Sequence, residues 1–168
     1  MGPNQKKAIL PVWSALAATP RCCLIEEHEK PVYRCLLDYD WELEQKYRFT
    51  VREGREESEG TWWIGEILDS AHDQTAKIGE ALLPFSFGRM SAHNYYTCVE
   101  YGLDEECESL PHTRARFSGH YAYNGKEDGP AYLRAEEPKI EYPKCRNAKV
   151  TILRNAAYMV EAGSKVER

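Results

Sequence analysis

No stretch of this chain approaches the ~20 consecutive apolar residues that a membrane-spanning helix requires, so no membrane span is expected. Close cysteine pairs of the C-x2-C kind are also missing. Cys22, Cys23, Cys35, Cys98, Cys107 and Cys145 are scattered, and the adjacent pair cannot easily share one metal, which argues against zinc. The five histidines, His28, His72, His93, His112 and His120, show no H-x-H or H-E-x-x-H spacing, leaving metal catalysis without a basis. Glycines fall singly at turns, so no loop is built to cradle phosphate. A basic stripe is lacking too: 22 Lys+Arg and 27 Asp+Glu are intermixed and give a net charge of −5. Nucleic acid is therefore not an expected partner, and no cofactor is indicated.

Helical periodicity is equally scarce between residues 33 and 101, and strand patterns take its place. In Tyr47-Arg48-Phe49-Thr50-Val51-Arg52 apolar and polar side chains alternate without a break. Period-2 alternation predicts Tyr47, Phe49 and Val51 on a buried face and Arg48, Thr50 and Arg52 on a wet one. Further strands are expected at Ile9 to Trp13, Val32 to Asp38, Thr61 to Leu68, Lys77 to Leu83, Asn94 to Tyr101, Val150 to Leu153 and Tyr158 to Val160. Asp40 to Glu44 and Ala71 to Thr75 read as turns, and the polar run Glu53 to Gly60 reads as a long exposed hairpin loop. Strands at this spacing predict an all-β fold, an antiparallel β-sandwich of jelly-roll or concanavalin-like type. The 168 residues suit one domain, 1–168, with residues 1–8 as a flexible leader.

The segment from Lys6 to Ala18 has a basic start, an apolar middle and small residues at its end, the outline of a secretory signal. Pro11 and Trp13 favour a strand there instead. In an oxidising compartment Cys22 or Cys23 pairs with Cys35 across a short loop, and Cys107 pairs with Cys145; in a reducing one all six cysteines stay as thiols.

Several ordered motifs resemble one family. Tyr33-Arg34-Cys35-Leu36-Leu37-Asp38-Tyr39-Asp40-Trp41, Tyr47 to Val51, Thr61-Trp62-Trp63, Ile78-Gly79-Glu80, Leu82-Leu83-Pro84, Val99 to Gly102 and Cys107 to Pro111 are similar to motifs of the DUF3472 family, and Pro11 to Ala15 is similar to a strand ahead of its cysteine-bearing loop. The resemblance spans residues 9 to 150. It implies a lectin-like β-sandwich of extracellular proteins found beside carbohydrate-active modules. The family domain has further strands upstream of the segment matching Ile9 to Trp13, which implies either a different completion of the sandwich or an uncovered edge. An edge left in that way is an opening for a second copy or a partner.

Trp62 and Trp63 are consecutive in a strand and must point to opposite faces. Trp62 shares its face with Ile64, Glu66 and Leu68, and Trp63 shares the other with Thr61, Gly65 and Ile67. Gly65 leaves room beside Trp63 for the indole or for a ligand. Tyr96, Cys98 and Glu100 likewise share a face. An indole stacked on a sugar ring, with a carboxylate binding its hydroxyls, matches both sides of a carbohydrate. Trp62, Trp63, Glu66, Tyr96 and Glu100 are thus the candidate ligand-binding residues, and the expected partner is a glycan; packing of both indoles between layers is the plainer alternative.

Two other roles compete with recognition. Glu66 and Glu100 would serve glycoside cleavage if they faced each other across about 5 to 10 Å, although carboxylates on a wet sheet face usually pair with arginines. The uncovered edge would serve a self-assembling, structural module. Ser91 with His93 and Cys107 with His112 lack an orienting third group. Asp69 with Asp73, or Asp104-Glu105-Glu106, follows no calcium-loop order. No catalytic residue is assigned.

Overall fold

The structure is a computed structural model that describes residues 6–27, 29–88, 111–118, 121–122, 131–132, 148–154 and 157–163. These residues form antiparallel sheets with no α-helix among them, an all-β fold of the expected kind. They fall in two compact units, within residues 1–89 and 90–168.

The first unit contains β1 (Lys7–Trp13), β2 (Ala17–Ala18), β3 (Cys22–Glu27), β4 (Lys30–Asp38), β5 (Tyr47–Glu57), β6 (Gly60–Asp69) and β7 (Gln74–Pro84). One sheet has the order β1-β4-β3 and the other β2-β7-β6-β5. Their facing sides enclose Ala8, Cys35, Ile67 and Ile78, with Leu10, Leu37, Tyr39, Tyr47 and Ala76 packed around them. This is a two-layer sandwich. Ile9 to Trp13 lies within β1, and Pro11 is tolerated there because β1 is an outer strand whose missing N–H costs no ladder bond. At the β6–β7 turn the Asp69 carboxylate accepts a bond from the Ala71 N–H at 2.9 Å, and Asp73 adopts a left-handed φ of 51°, both common ways for aspartate to close a turn.

Gly65 and Gly79 face each other across β6 and β7, and together they make a floor without side chains. A Cβ at Gly65 would lie 2.5 Å from Leu10 Cδ2, and one at Gly79 would lie 2.6 Å from both Cβ and Sγ of Cys35. The room expected beside Gly65 is therefore filled by the facing layer. Between Gly65 and Glu66 the β6–β7 register shifts, and Ile78 turns into the core beside this bulge.

Two sequence expectations for β5 need correction. The polar run from Glu53 is no loop up to Gly60: β5 continues to Glu57, leaving only Ser58-Glu59 between it and β6. The face expected to be buried is also largely open, since Phe49 is 64% and Val51 41% exposed. Both outcomes follow from β5 being the outermost strand of its sheet, so that of the three apolar residues only Tyr47 packs against the core.

Cys22 and Cys35 form a disulfide and stand directly opposite each other in β3 and β4, while Cys23 is a free, exposed thiol. The bridge spans a sequence separation of 13, a loop for which chain-entropy arguments give about 3 kcal/mol. Replacing both cysteines by serine is expected to lower unfolding stability by about 2–3 kcal/mol in denaturant titration; an unchanged midpoint contradicts this. The Cys107–Cys145 pairing and the strand Asn94 to Tyr101 lie outside the described residues.

The second unit contains β8 (Thr113–Phe117), β9 (Tyr121–Ala122), β10 (Ala131–Tyr132), β11 (Lys149–Ile152) and β12 (Tyr158–Ala162). Its three-stranded sheet has the order β11-β12-β8, and β9 pairs with β10. Phe117 lies opposite Tyr158 in the ladder with ring centroids 5.3 Å apart, an aromatic cross-strand pair of the kind that stabilises sheets. The last two expected strands fall within β11 and β12, with Leu153 just past the end of β11.

Candidate functional site

Trp62 and Trp63 point to opposite faces of β6, as parity requires. Trp62 stands on the outer face and is 8% exposed. Its Nε1 donates to Glu57 Oε1 at 2.7 Å, and the Arg55 guanidinium lies 4.3 Å from its ring centroid, within cation–π range. The β5 register shift between Glu53 and Glu56 sets this up. Gly54 sits in the bulge, close to Ile64, and Arg55 beyond it reaches over the indole. One face of Trp62 is thus already occupied by a side chain of this protein. Trp63 lies on the layer-facing side with Gly65, whose open space Leu10 fills.

Glu66 shares the outer face with Trp62 but is engaged. Arg52 grips it through two bonds, Nε to Oε2 at 3.0 Å and Nη2 to Oε1 at 2.8 Å. Next to it Glu80, 7% exposed, accepts bonds from Lys77 Nζ at 2.6 Å and Arg55 Nη1 at 3.3 Å. The result is a ladder of alternating charges across β5, β6 and β7. Tyr96 and Glu100 lie outside the described residues, so only Trp62 and Glu66 of the five candidates share a face here.

The Arg52 hydrogen bond, aided by the charges of Arg52 and Lys77, holds the Glu66 carboxyl below the ordinary glutamate range. Glu80 is lowered chiefly by its bond from Lys77, then by the charges of Lys77 and Arg55. Because the folded values lie below the unfolded ones, these carboxylates stabilise the fold fully above about pH 4.3, the ordinary glutamate value. That contribution is lost as pH falls through the lowered values. Glu66→Gln is expected to flatten the acid limb of a stability-against-pH curve; an unaltered acid limb contradicts the assignment.

Asp69 is occupied by the Ala71 N–H and by His72 Nδ1 at 2.9 Å. Among the described residues no group of three or more His, Cys, Asp or Glu is placed to hold a metal.

A hollow of about 220 Å³ opens between the layers beside β5, lined by Lys7, Ala8, Trp41, Tyr47, Phe49 and Ile67. Trp41 is 38% exposed, and Phe49 is more open still. The connection between β4 and β5 is held over the hollow by several bonds. The Glu42 N–H donates to the Tyr47 hydroxyl at 2.8 Å, and Tyr39 meets Tyr47 edge-to-face at 5.8 Å. Lys6 Nζ lies 5.2 Å from the Trp41 ring and donates to Asp40 Oδ1 and the Trp41 carbonyl, while Lys7 Nζ donates to Asp38 Oδ1 at 2.6 Å. Aromatic walls with charged groups at the rim are the ordinary composition of a small-ligand site. Sequence reasoning did not single out this hollow. Its one signal was Trp41 in a turn just ahead of the alternating Tyr47 and Phe49.

Comparison of the chain with protein-family models, curated proteins and solved structures returned no match.

Proposed function

We propose that this chain is a non-catalytic recognition module for carbohydrate, acting outside the cell, with Trp41 and Phe49 as its stacking surfaces. The observation that carries the reading is the aromatic hollow beside β5, with the Lys7–Asp38 and Lys6–Asp40 pairs close by. Sugars present an apolar ring face and a rim of hydroxyls, and this combination answers both. At about 220 Å³ the hollow is smaller than the ~300–1,000 Å³ pockets that enclose drug-sized ligands. It suits one ring, with the rest of a glycan lying across the surface. The Cys22–Cys35 disulfide is compatible with an extracellular setting, and no described helix is long and apolar enough to cross a membrane.

The Trp62–Glu66 surface supports the reading less well, because Arg55 and Arg52 already take the positions a ligand needs. Glycan cleavage by Glu66 with Glu100 would cast the ionised Glu66 as base or nucleophile, not as proton donor, but Arg52 already binds both of its oxygens and Glu100 lies outside the described residues.

Binding to a glycan array tests the proposal. Trp41→Ala and Phe49→Ala are each expected to weaken the bound glycan about 30-fold, the loss of a 2 kcal/mol hot spot, with Glu66→Gln close to native. Binding lost in Glu66→Gln but kept in Trp41→Ala moves the site to the charge ladder. No bound glycan at all overturns the carbohydrate assignment.

A further inference from the structure

We infer that the hollow beside β5 selects N-acetylated amino sugars, taking the acetamido methyl toward Ala8 and Ile67 while the sugar ring rests on Trp41 and Phe49. This rests on the glycan reading and narrows it to one class of sugar. The lining of the hollow is almost wholly apolar. Ala8 and Ile67 are buried and form its floor, whereas Trp41 and Phe49 are open to solvent at its mouth. The polar groups of the lining are engaged elsewhere: the Tyr47 hydroxyl is bonded by the Glu42 N–H at 2.8 Å, and the Lys7 ammonium donates to Asp38 Oδ1 at 2.6 Å. A ring carrying hydroxyls on every side, pressed onto that floor, would lose water from them and gain no partner. An apolar substituent is the part of a sugar that the floor accepts.

The rim decides which substituent. Lys6 Nζ lies 5.2 Å from the centroid of the Trp41 ring and donates to Asp40 Oδ1 and the Trp41 carbonyl. An ammonium has three N–H donors, so one is left for a ligand. The Asp40 side chain is 93% exposed and the Lys6 bond takes only Oδ1, which leaves Oδ2 to accept. An acetamido group combines a methyl for the floor, an N–H for Asp40 and a carbonyl oxygen for Lys6. A 6-deoxy sugar offers the methyl alone, and an O-acetyl sugar offers a methyl and an acceptor without the donor. Each rim lysine also has its own carboxylate, Lys6 with Asp40 and Lys7 with Asp38, so no unmatched cation draws an acidic sugar.

The test is calorimetric titration of the full chain with chitotetraose, cellotetraose and fully de-N-acetylated chitotetraose, which share one backbone and differ only in bearing acetamido, hydroxyl or ammonium at C2. Chitotetraose is expected to bind about tenfold or more tighter than the other two, from one buried methyl and two hydrogen bonds to charged groups. Asp40→Ala, its folding checked by circular dichroism, is expected to weaken chitotetraose about tenfold through the lost charge-assisted bond and to leave cellotetraose unchanged. Equal binding of chitotetraose and cellotetraose overturns the selectivity and leaves the carbohydrate reading standing. So does a chain that binds none of the three yet binds another, unacetylated glycan on an array. Chitotetraose binding undiminished in Asp40→Ala overturns the placement of the acetamido group, and no glycan binding of any kind overturns both readings.

Discussion

Gly79→Val is expected to yield a chain that does not fold, and Gly79→Ala one destabilised by about 3 kcal/mol, the upper end of the range for overpacking a core. The added Cβ would lie 2.6 Å from two atoms of Cys35 and 3.0 Å from Cys22 Sγ. Most glycine replacements are absorbed by a flexible neighbour that swings aside. Here the neighbour is a disulfide joined at both ends to paired strands, and it has nowhere to go. Gly65 gives the contrast: a Cβ there meets only the end of the Leu10 side chain, so Gly65→Ala is the milder change. Denaturant titration of Gly79→Ala with and without a reductant separates the causes. Free thiols can rotate away, so reduction should recover part of the loss, although Cys35 Cβ remains in the way. A Gly79→Ala protein as stable as the native one contradicts the close approach of the layers.

Trp62→Ala is expected to cost about 3–5 kcal/mol, the range for removing a buried large aromatic, while glycan binding by the folded fraction persists. The indole stands opposite Leu82 in the ladder, lies beneath Arg55 and donates to Glu57, so its loss leaves a cavity and takes one partner each from Glu57 and Arg55, which keep their bond to each other. Trp62→Phe keeps a ring under Arg55 and loses the Nε1 bond, which is worth about 1 kcal/mol or somewhat more because its acceptor is charged. Equilibrium unfolding checks the order Ala, then Phe, then native. A Trp62→Ala protein with native stability and no glycan binding reverses the assignment and makes Trp62 a ligand platform.

Much of the fold was legible because period-2 alternation reports on strands one at a time. It located the cores of β1, β4, β5, β6, β7, β11 and β12, and the spacing of Cys22 or Cys23 to Cys35 anticipated the disulfide. It could not report which strand lies at the edge. Phe49 and Val51 alternate as a buried pair does, yet their exposure depends on what the other layer covers. The second half of β5 read as a loop because a strand end wet on both faces has the composition of one. β3 was missed for a similar reason: Cys22-Cys23-Leu24-Ile25-Glu26-Glu27 has no alternation, only a run of like residues. The face of Trp62 followed from parity, but Arg55 above it depends on a bulge that no local pattern announces. The hollow was hidden most deeply, since Lys7, Trp41, Phe49 and Ile67 meet only through packing between strands distant in sequence.

The Cys22–Cys35 bridge joins neighbours within one sheet instead of one layer to the other. It therefore locks alignment along β3 and β4 and leaves the cohesion of the layers to Leu10 and the apolar core. Cys23 stands one residue away with a free thiol, and bonding it to Cys35 would slide β3 by one residue and turn its side chains inside out. During oxidation of the nascent chain, the choice between two adjacent sulfurs decides which side of a strand faces inward.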